Sequence, residues 1–200
     1  MMNSKYFCIL HSLNIKNPTI WGLNLYYTPI AKVLIDKNIL KLSTEIAEGT
    51  LFNATNYQDL TTAIEYSDAC LSSTERSPAT FDFSAHVCVS VDSNSSKAKS
   101  ASRPSVAFIV AGASTELLQS HNIDPSIANS ISNLIREGDL QQAFRKVTDD
   151  MLNTFSISGT PEMVSTRLAE IYDRTGSIVV GYPIGPDPST AITTIGSFLD

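Results

Sequence analysis

Two hundred residues, 42% hydrophobic and 17% charged, suffice for one core-forming domain or a part of a larger protein. A net charge of −6 argues against nucleic acid or an anionic membrane surface as the main partner. No run reaches the length of a transmembrane helix, and three scattered cysteines (Cys8, Cys70, Cys88) suit reduced thiols in a cytoplasmic protein better than a disulfide frame or a zinc site.

Residues 1–28 hold two apolar stretches with strand character, Tyr6–Leu13 and Ile20–Thr28, separated by a turn at Asn17-Pro18. The first is too short for a signal peptide and contains His11, so it reads as a packed segment. Pro29–Ile35 predicts a buried strand. From Asn38 the period changes, and Ile39, Leu42, Ile46 and Ala47 predict the inward face of a helix that Gly49 stops. A short strand over Thr50–Ala54 follows, then a helix over Tyr57–Cys70 with Leu60, Ile64 and Ser67 inward.

Phe81–Val91 is the longest strand candidate, its Val87, Val89 and Val91 alternating with Cys88 and Ser90. Asp92–Asn94 predicts a cap, and the helix behind it carries Ala98 and Ala101 as far as Arg103-Pro104. Beyond Pro104 the strand–helix alternation breaks. Val106–Gly112 is apolar but is followed only by helices. Asp124-Pro125 starts one with Ile127, Ile131, Leu134 and Ile135 inward, ending at Gly138. Asp139 starts the next, with Leu140, Phe144, Val147 and Met151 at helical spacing. Thr160-Pro161 starts a third, with Val164, Leu168 and Ile171 inward and Gly176 as its stop. A β-branched run, Ser177–Gly181, then predicts a buried strand. It leads through the loop Tyr182-Pro-Ile-Gly-Pro186 to a helix capped by Asp187, with Ile192, Ile195 and Leu199 inward. Strand, glycine loop and helix N-terminus are the usual place for an α/β protein to hold an anion.

The reading is thus an α/β chain with about four parallel strands and a helical insertion, near 105–175, before the last strand. A closed parallel barrel needs eight strands and about 250 residues, so this is half a barrel plus an excursion.

At this point four motifs converge. Val106–Ser114, His121-Asn-Ile-Asp-Pro125, Phe155–Pro161 and Gly181–Pro186 resemble, in order and spacing, the methylenetetrahydromethanopterin reductases of the luciferase-like monooxygenase family. Leu40–Gly49 with Asn53-Ala54 resembles the same family. The resemblance covers residues 29–200 and leaves 1–28 poorly matched. It implies a partial (β/α)8 TIM barrel: the last four strands of the family's barrel, with its large insertion. The family binds the deazaflavin coenzyme F-420 at the C-terminal ends of its strands and transfers hydride to or from its substrate. Flavin is the second choice of cofactor, and no metal is implied. A non-prolyl cis peptide and acidic residues near the chemistry belong to the family's first half, for which this chain has no counterpart. The loop Ile35-Asp36-Lys37 also departs from the family, with Asp36 in place of a glycine near the coenzyme's phosphate side and Lys37 as partial compensation.

The site positions carried over are Asn53, Ala54 and Thr55 at a strand end, Lys37, and Tyr182, Pro183 and Gly185 in the last loop. For Asn53–Thr55 a plain helix cap is an equally good explanation, whereas the last loop favours ligand contact. Capping explains Ser90 and Asp92 better than a site does. His86 and His121 have no partners at metal-ligand spacing, Asp149-Asp150 point apart on a solvated helix, and no nucleophile with a base can be assembled. No catalytic residue is assigned. The expected function is that of a truncated or divergent F-420-dependent oxidoreductase acting on a methylene-tetrahydromethanopterin-like substrate. It would be cytoplasmic, with a homo-oligomer or a separate N-terminal half to close the barrel. The rival expectation is a non-catalytic half-barrel module or a gene fragment.

Overall fold

The protein is described by a computed structural model over residues 30–33, 37–53 and 56–197, with the backbone alone for 30–33 and 182–184. The expected segment 1–28, Ile35-Asp36, Ala54 and Thr55 lie outside the described residues.

Among the described residues five strands form one parallel sheet: β1 (Ile30–Val33), β2 (Gly49–Asn53), β3 (Asp82–Val91), β4 (Ile157–Gly159) and β5 (Ile178–Ile184). β3 is its hub. Ala85 and His86 pair with both β2 and β5, and Ser90 pairs with both β4 and β5. β5 therefore has one edge of β3 to itself, while β2 and β4 share the other, one behind the other. Four strands make the ladder β1-β2-β3-β5, the sequential order of right-handed parallel crossovers. The sequence reading has no strand at Ile157–Gly159. With three residues flanked by Ser156 and Thr160, β4 is too short to show a period.

One face of the sheet is covered by α1 (Lys37–Ile46), α2 (Tyr57–Ser73), α8 (Pro161–Thr175) and α9 (Pro188–Ser197). Ala85, Val87, Val89 and Val91 point into it and meet Leu40, Leu60, Ile64, Val164, Leu168, Ile171 and Ile195. Each such aliphatic side chain contributes roughly 1.5–3 kcal/mol on burial. The expected faces of α2 and α8 are the buried ones, and Gly176 (φ 72°) ends α8 in the left-handed region.

In α1 the expected face is wrong except at Ala47. Leu40, Ser43, Thr44 and Ala47 are buried, whereas Ile39, Leu42 and Ile46 are 47%, 50% and 68% exposed. The buried side is fixed by polar ties that a hydrophobic period does not show. Ser43 Oγ lies 2.8 Å from Thr50 Oγ1 in β2, and the Arg76 guanidinium donates to the carbonyls of Thr44 and Ala47 at the end of α1. Ile192 of α9 is likewise exposed, while Ala191 and Ile195 are buried.

The second core belongs to the helical insertion, which is α3 (Ser95–Gly112), α4 (Thr115–Ser120), α5 (Pro125–Glu137), α6 (Leu140–Arg145) and α7 (Asp149–Phe155). Against the expected 105–175 it starts earlier, and α8 packs on the sheet instead. α3 runs through Pro104 instead of stopping there. The proline forfeits one backbone bond and costs about 3 kcal/mol in a helix interior. Full burial of Val106, Ala107 and Val110 just beyond it offsets that cost. Arg103 also ties this turn to the Val147 carbonyl and, at 2.9 Å, to Asp149. The helix expected from Asp139 to Met151 is two helices, because Thr148 caps α7 by accepting from the Met151 N–H. Leu140, expected inward, is exposed.

Candidate functional site

Along β3, residues alternate between the two faces. Ser84, His86, Cys88 and Ser90 point away from the covered face, and so does Asn53 of β2. Ser84 Oγ meets Ser177 Oγ at 2.5 Å near the start of the strands. Farther along, His86 Nδ1 lies 3.3 Å from Asn53 Oδ1 on the neighbouring strand. Oδ1 only accepts, so Nδ1 carries the proton in this contact. On the other side the imidazole lies against β5 at Gly181, where a Cβ would come within 2.7 Å of the ring. Glycine is thus what lets the ring lie flat there. Three strands meet in this half-buried polar group.

Toward the strand ends α3 roofs the same face. Cys88 packs into the insertion core, and burial pushes its thiol up to about 12, the Ser105 hydrogen bond pulling weakly the other way. At neutral pH it is an uncharged packing residue, not a nucleophile. Ser90 is fully buried with an unpartnered hydroxyl.

Of the sequence-predicted site residues, Asn53 joins this group through His86. Ala54 and Thr55 lie outside the described residues. The Lys37 ammonium sits 5.8 Å over the Tyr66 ring, a cation–π contact at the start of α1. Tyr182 and Pro183, expected in a loop, belong to β5, which continues to Ile184 across a register shift between Cys88 and Ser90. Gly185 makes the turn. Its φ of 123° is open to glycine, and a Cβ would lie 2.5 Å from the Val91 carbonyl oxygen. That close approach brings Pro186 beside Asn94, Ser96 and Lys97 at the start of α3, around an open cleft of about 510 Å3.

The helix N-termini at this end are occupied by their own chain. Asn94 accepts from the Ser96 and Lys97 amides, and Asp187 accepts from the Ser189 amide and the Thr190 hydroxyl. The anion-holding strand–loop–helix pattern therefore has a carboxylate already in place. The sequence weighs His86 only as a metal ligand, and it is the strand register opposite Asn53 that brings it into this group. His121, the other described histidine weighed as a ligand, donates from Nε2 across 2.8 Å to the Asp59 carboxylate of α2 and packs edge-on against Phe155. Among the described residues no cluster of three metal-ligating side chains exists.

A luciferase-like monooxygenase family model matches residues 35–177. The chain belongs to that family. It is similar to the 5,10-methylenetetrahydromethanopterin reductases of Methanolobus tindarius (39% identical, over 79% of this chain and 49% of the relative) and Archaeoglobus fulgidus (38%, with the same coverage). The solved coenzyme F-420-dependent tetrahydromethanopterin reductase from Methanopyrus kandleri superposes with a TM-score of 0.75 at 35% identity, over 84% of this chain and 48% of that one. An F-420-dependent secondary alcohol dehydrogenase shares the fold at 14% identity, with a TM-score of 0.64. The chain thus spans about half the length of the relatives it matches.

Proposed function

We propose that this chain forms one wall of a deazaflavin-dependent oxidoreductase that moves a hydride between coenzyme F-420 and a methylene-tetrahydromethanopterin-like substrate. The observation that carries the reading is the polar group of Asn53 and His86 across Gly181, lying on the same strands that resemble the reductases at 35–39% identity. The space beside Gly181 is taken by the His86 ring, so what this wall offers a ligand is the hydrogen-bonding edge of Asn53 and His86.

When bound, a deazaflavin supplies the hydride chemistry, and the protein supplies binding, orientation and exclusion of water. Asn53 holds His86 in one tautomer and orientation. Gly185 places the backbone of the last loop against β3 at the strand ends, where Tyr182, Pro183 and Lys97 are candidates for ligand contact. Lys37 has a weaker claim, since its ammonium already faces Tyr66. The opposite wall would come from a second copy or a separate N-terminal half, and the exposed stripe Ile39–Leu42–Ile46 on α1 is apolar surface such a partner would cover. The setting would be cytoplasmic; no described helix is long and apolar enough to cross a membrane.

The test is fluorescence titration of the purified chain with coenzyme F-420, with its mass in solution recorded alongside. A saturable complex of a defined oligomer, near micromolar affinity or about −8 kcal/mol, is expected, with weaker binding in His86→Ala. A folded species that binds none sinks the reading for this chain and leaves an interaction module.

A further inference from the structure

Where the insertion rejoins the sheet, α3, α7, β4 and the first turns of α8 enclose a cavity of about 160 Å3. Lys99 reaches it from α3 and Arg167 from α8. Asn153 adds a side-chain amide, the Ser156 and Ser158 hydroxyls line the wall with their protons already given to the Leu152 carbonyl and to Ser102, and Met163 lines one side. We infer that this cavity binds a compact oxyanion, a phosphate or a carboxylate group, between Lys99 and Arg167. The inference is independent of the deazaflavin reading, since it concerns other residues and another ligand.

Charge is the first argument. The chain as a whole carries −6, yet two cations and no carboxylate line this cavity. An anion entering it meets a local field opposite in sign to the protein's net charge. The planar guanidinium of Arg167 suits two oxygens of one oxyanion, and the Lys99 ammonium serves as a point charge beside it. A carboxylate does approach Arg167 from outside: Glu170 Oε2 is 3.6 Å from Nε. The two side chains are 42% and 50% exposed, so the pair is a weak one, and a ligand would compete with it for the guanidinium.

The wall is also built to hold its shape. Ser158 Oγ donates to Ser102 Oγ at 2.9 Å and lies 2.9 Å from Ser156 Oγ. Ser156 donates to the Leu152 carbonyl at 2.7 Å, and Ser102 to the Lys99 carbonyl at 2.9 Å. This hydroxyl chain joins the backbone beneath Lys99 to the end of α7 and to β4. Little ordering is left for the ligand to impose, which is what makes a small site effective. Size then selects the ligand. Pockets that enclose a whole cofactor run to about 300–1,000 Å3, so this one accepts a single anionic group. The N-termini of α3 and α9 do not compete for it, being capped by Asn94 and Asp187.

The experiment is a thermal-shift and calorimetric titration of the full chain with inorganic phosphate, with acetate as the carboxylate probe and with sodium chloride at matched ionic strength as the control. Wild type is compared with Lys99→Gln, Arg167→Gln and Arg167→Lys. A saturable rise in melting temperature beyond the chloride control is expected, with affinity falling about tenfold or more in either Gln variant and less in Arg167→Lys. The stronger of phosphate and acetate identifies the anionic group. If Arg167→Gln does not fold, Lys99→Gln decides alone. The inference is overturned if neither anion exceeds chloride, or if the Gln variants bind as wild type does.

Discussion

The sheet core and the insertion core share β3 but are stabilised in different ways. In the sheet core, strands supply half of the apolar wall, and the partners that meet there are far apart in sequence, as with Phe52, Val87, Leu168 and Ile195. In the insertion core Cys88 is the one strand residue among the buried members, and helices α3 to α7 close mainly around each other. The insertion's helices begin on side-chain caps in turn: Asn94, Ser114, Asp124, Asp139 and Thr148. By contrast, α1 beside β1 turns Ile39, Leu42 and Ile46 to solvent. Local caps and a core of its own make the insertion the less dependent of the two, although α3 also packs on β3, β4 and β5. The β1–α1 end depends on contacts that come from elsewhere.

That contrast can be broken by substitution. Phe52→Ala removes a fully buried ring that stacks 5.9 Å from Phe83 in the sheet core, and should cost about 3–5 kcal/mol. Ile131→Ala at the centre of the insertion should cost about 2–5 kcal/mol. Amide hydrogen exchange separates them. Phe52→Ala should lower protection across β2, β3 and β5, and Ile131→Ala across α3 to α7. Equal loss everywhere in both variants would show a single cooperative unit and end the comparison. Pro104→Ala should stabilise the insertion by up to about 3 kcal/mol, less whatever chain entropy the proline removes from the unfolded state. A neutral or destabilising result by urea denaturation would mean that the proline shapes α3 where it crosses the sheet. Gly185→Ala, strained at φ 123° and pressed against the Val91 carbonyl, should cost about 1–3 kcal/mol. Its effect should be confined to the sheet core.

The same contrast decides how much was legible in the sequence. Caps and glycine stops are local chemistry, so the starts of α5, α8 and α9 and the ends of α5 and α8 stand where the reading places them. β3 was equally open, since a run of alternating valines has one physical solution. Where tertiary contacts decide, the sequence was silent. Arg76 and Thr50 select the buried side of α1 against its own aliphatic stripe, and buried aliphatics beyond Pro104 carry α3 through a residue that ordinarily stops a helix. The site was half legible. Asn53 carries a family resemblance, but His86 gains meaning only from the register that places it opposite Asn53 and from the bare strand at Gly181. Pro183 reads as a loop residue, yet it belongs to β5.

The smallest expected effect tests whether the two regions respond separately to acid. The Asp124 carboxyl at the start of α5 is held below the usual carboxylate range by the Ser126 amide. Asp187 at the start of α9 is held low by the Thr190 hydroxyl first and the Ser189 amide second. A carboxylate with a lowered folded-state pKa adds stability that is present above the unfolded value, roughly 3.9. That stability is lost as pH falls through the lowered folded value. Acid should therefore fray α5 and α9 at their first turns, seen as faster exchange of the Ser126 and Ser189 amides. Asn accepts the same cap bond without titrating. Asp124→Asn should flatten the acid response in α5 alone, and Asp187→Asn in α9 alone. If Asp124→Asn also changed the acid response of Ser189, the two cores would be coupled through β3, and the insertion's independence would be lost with it.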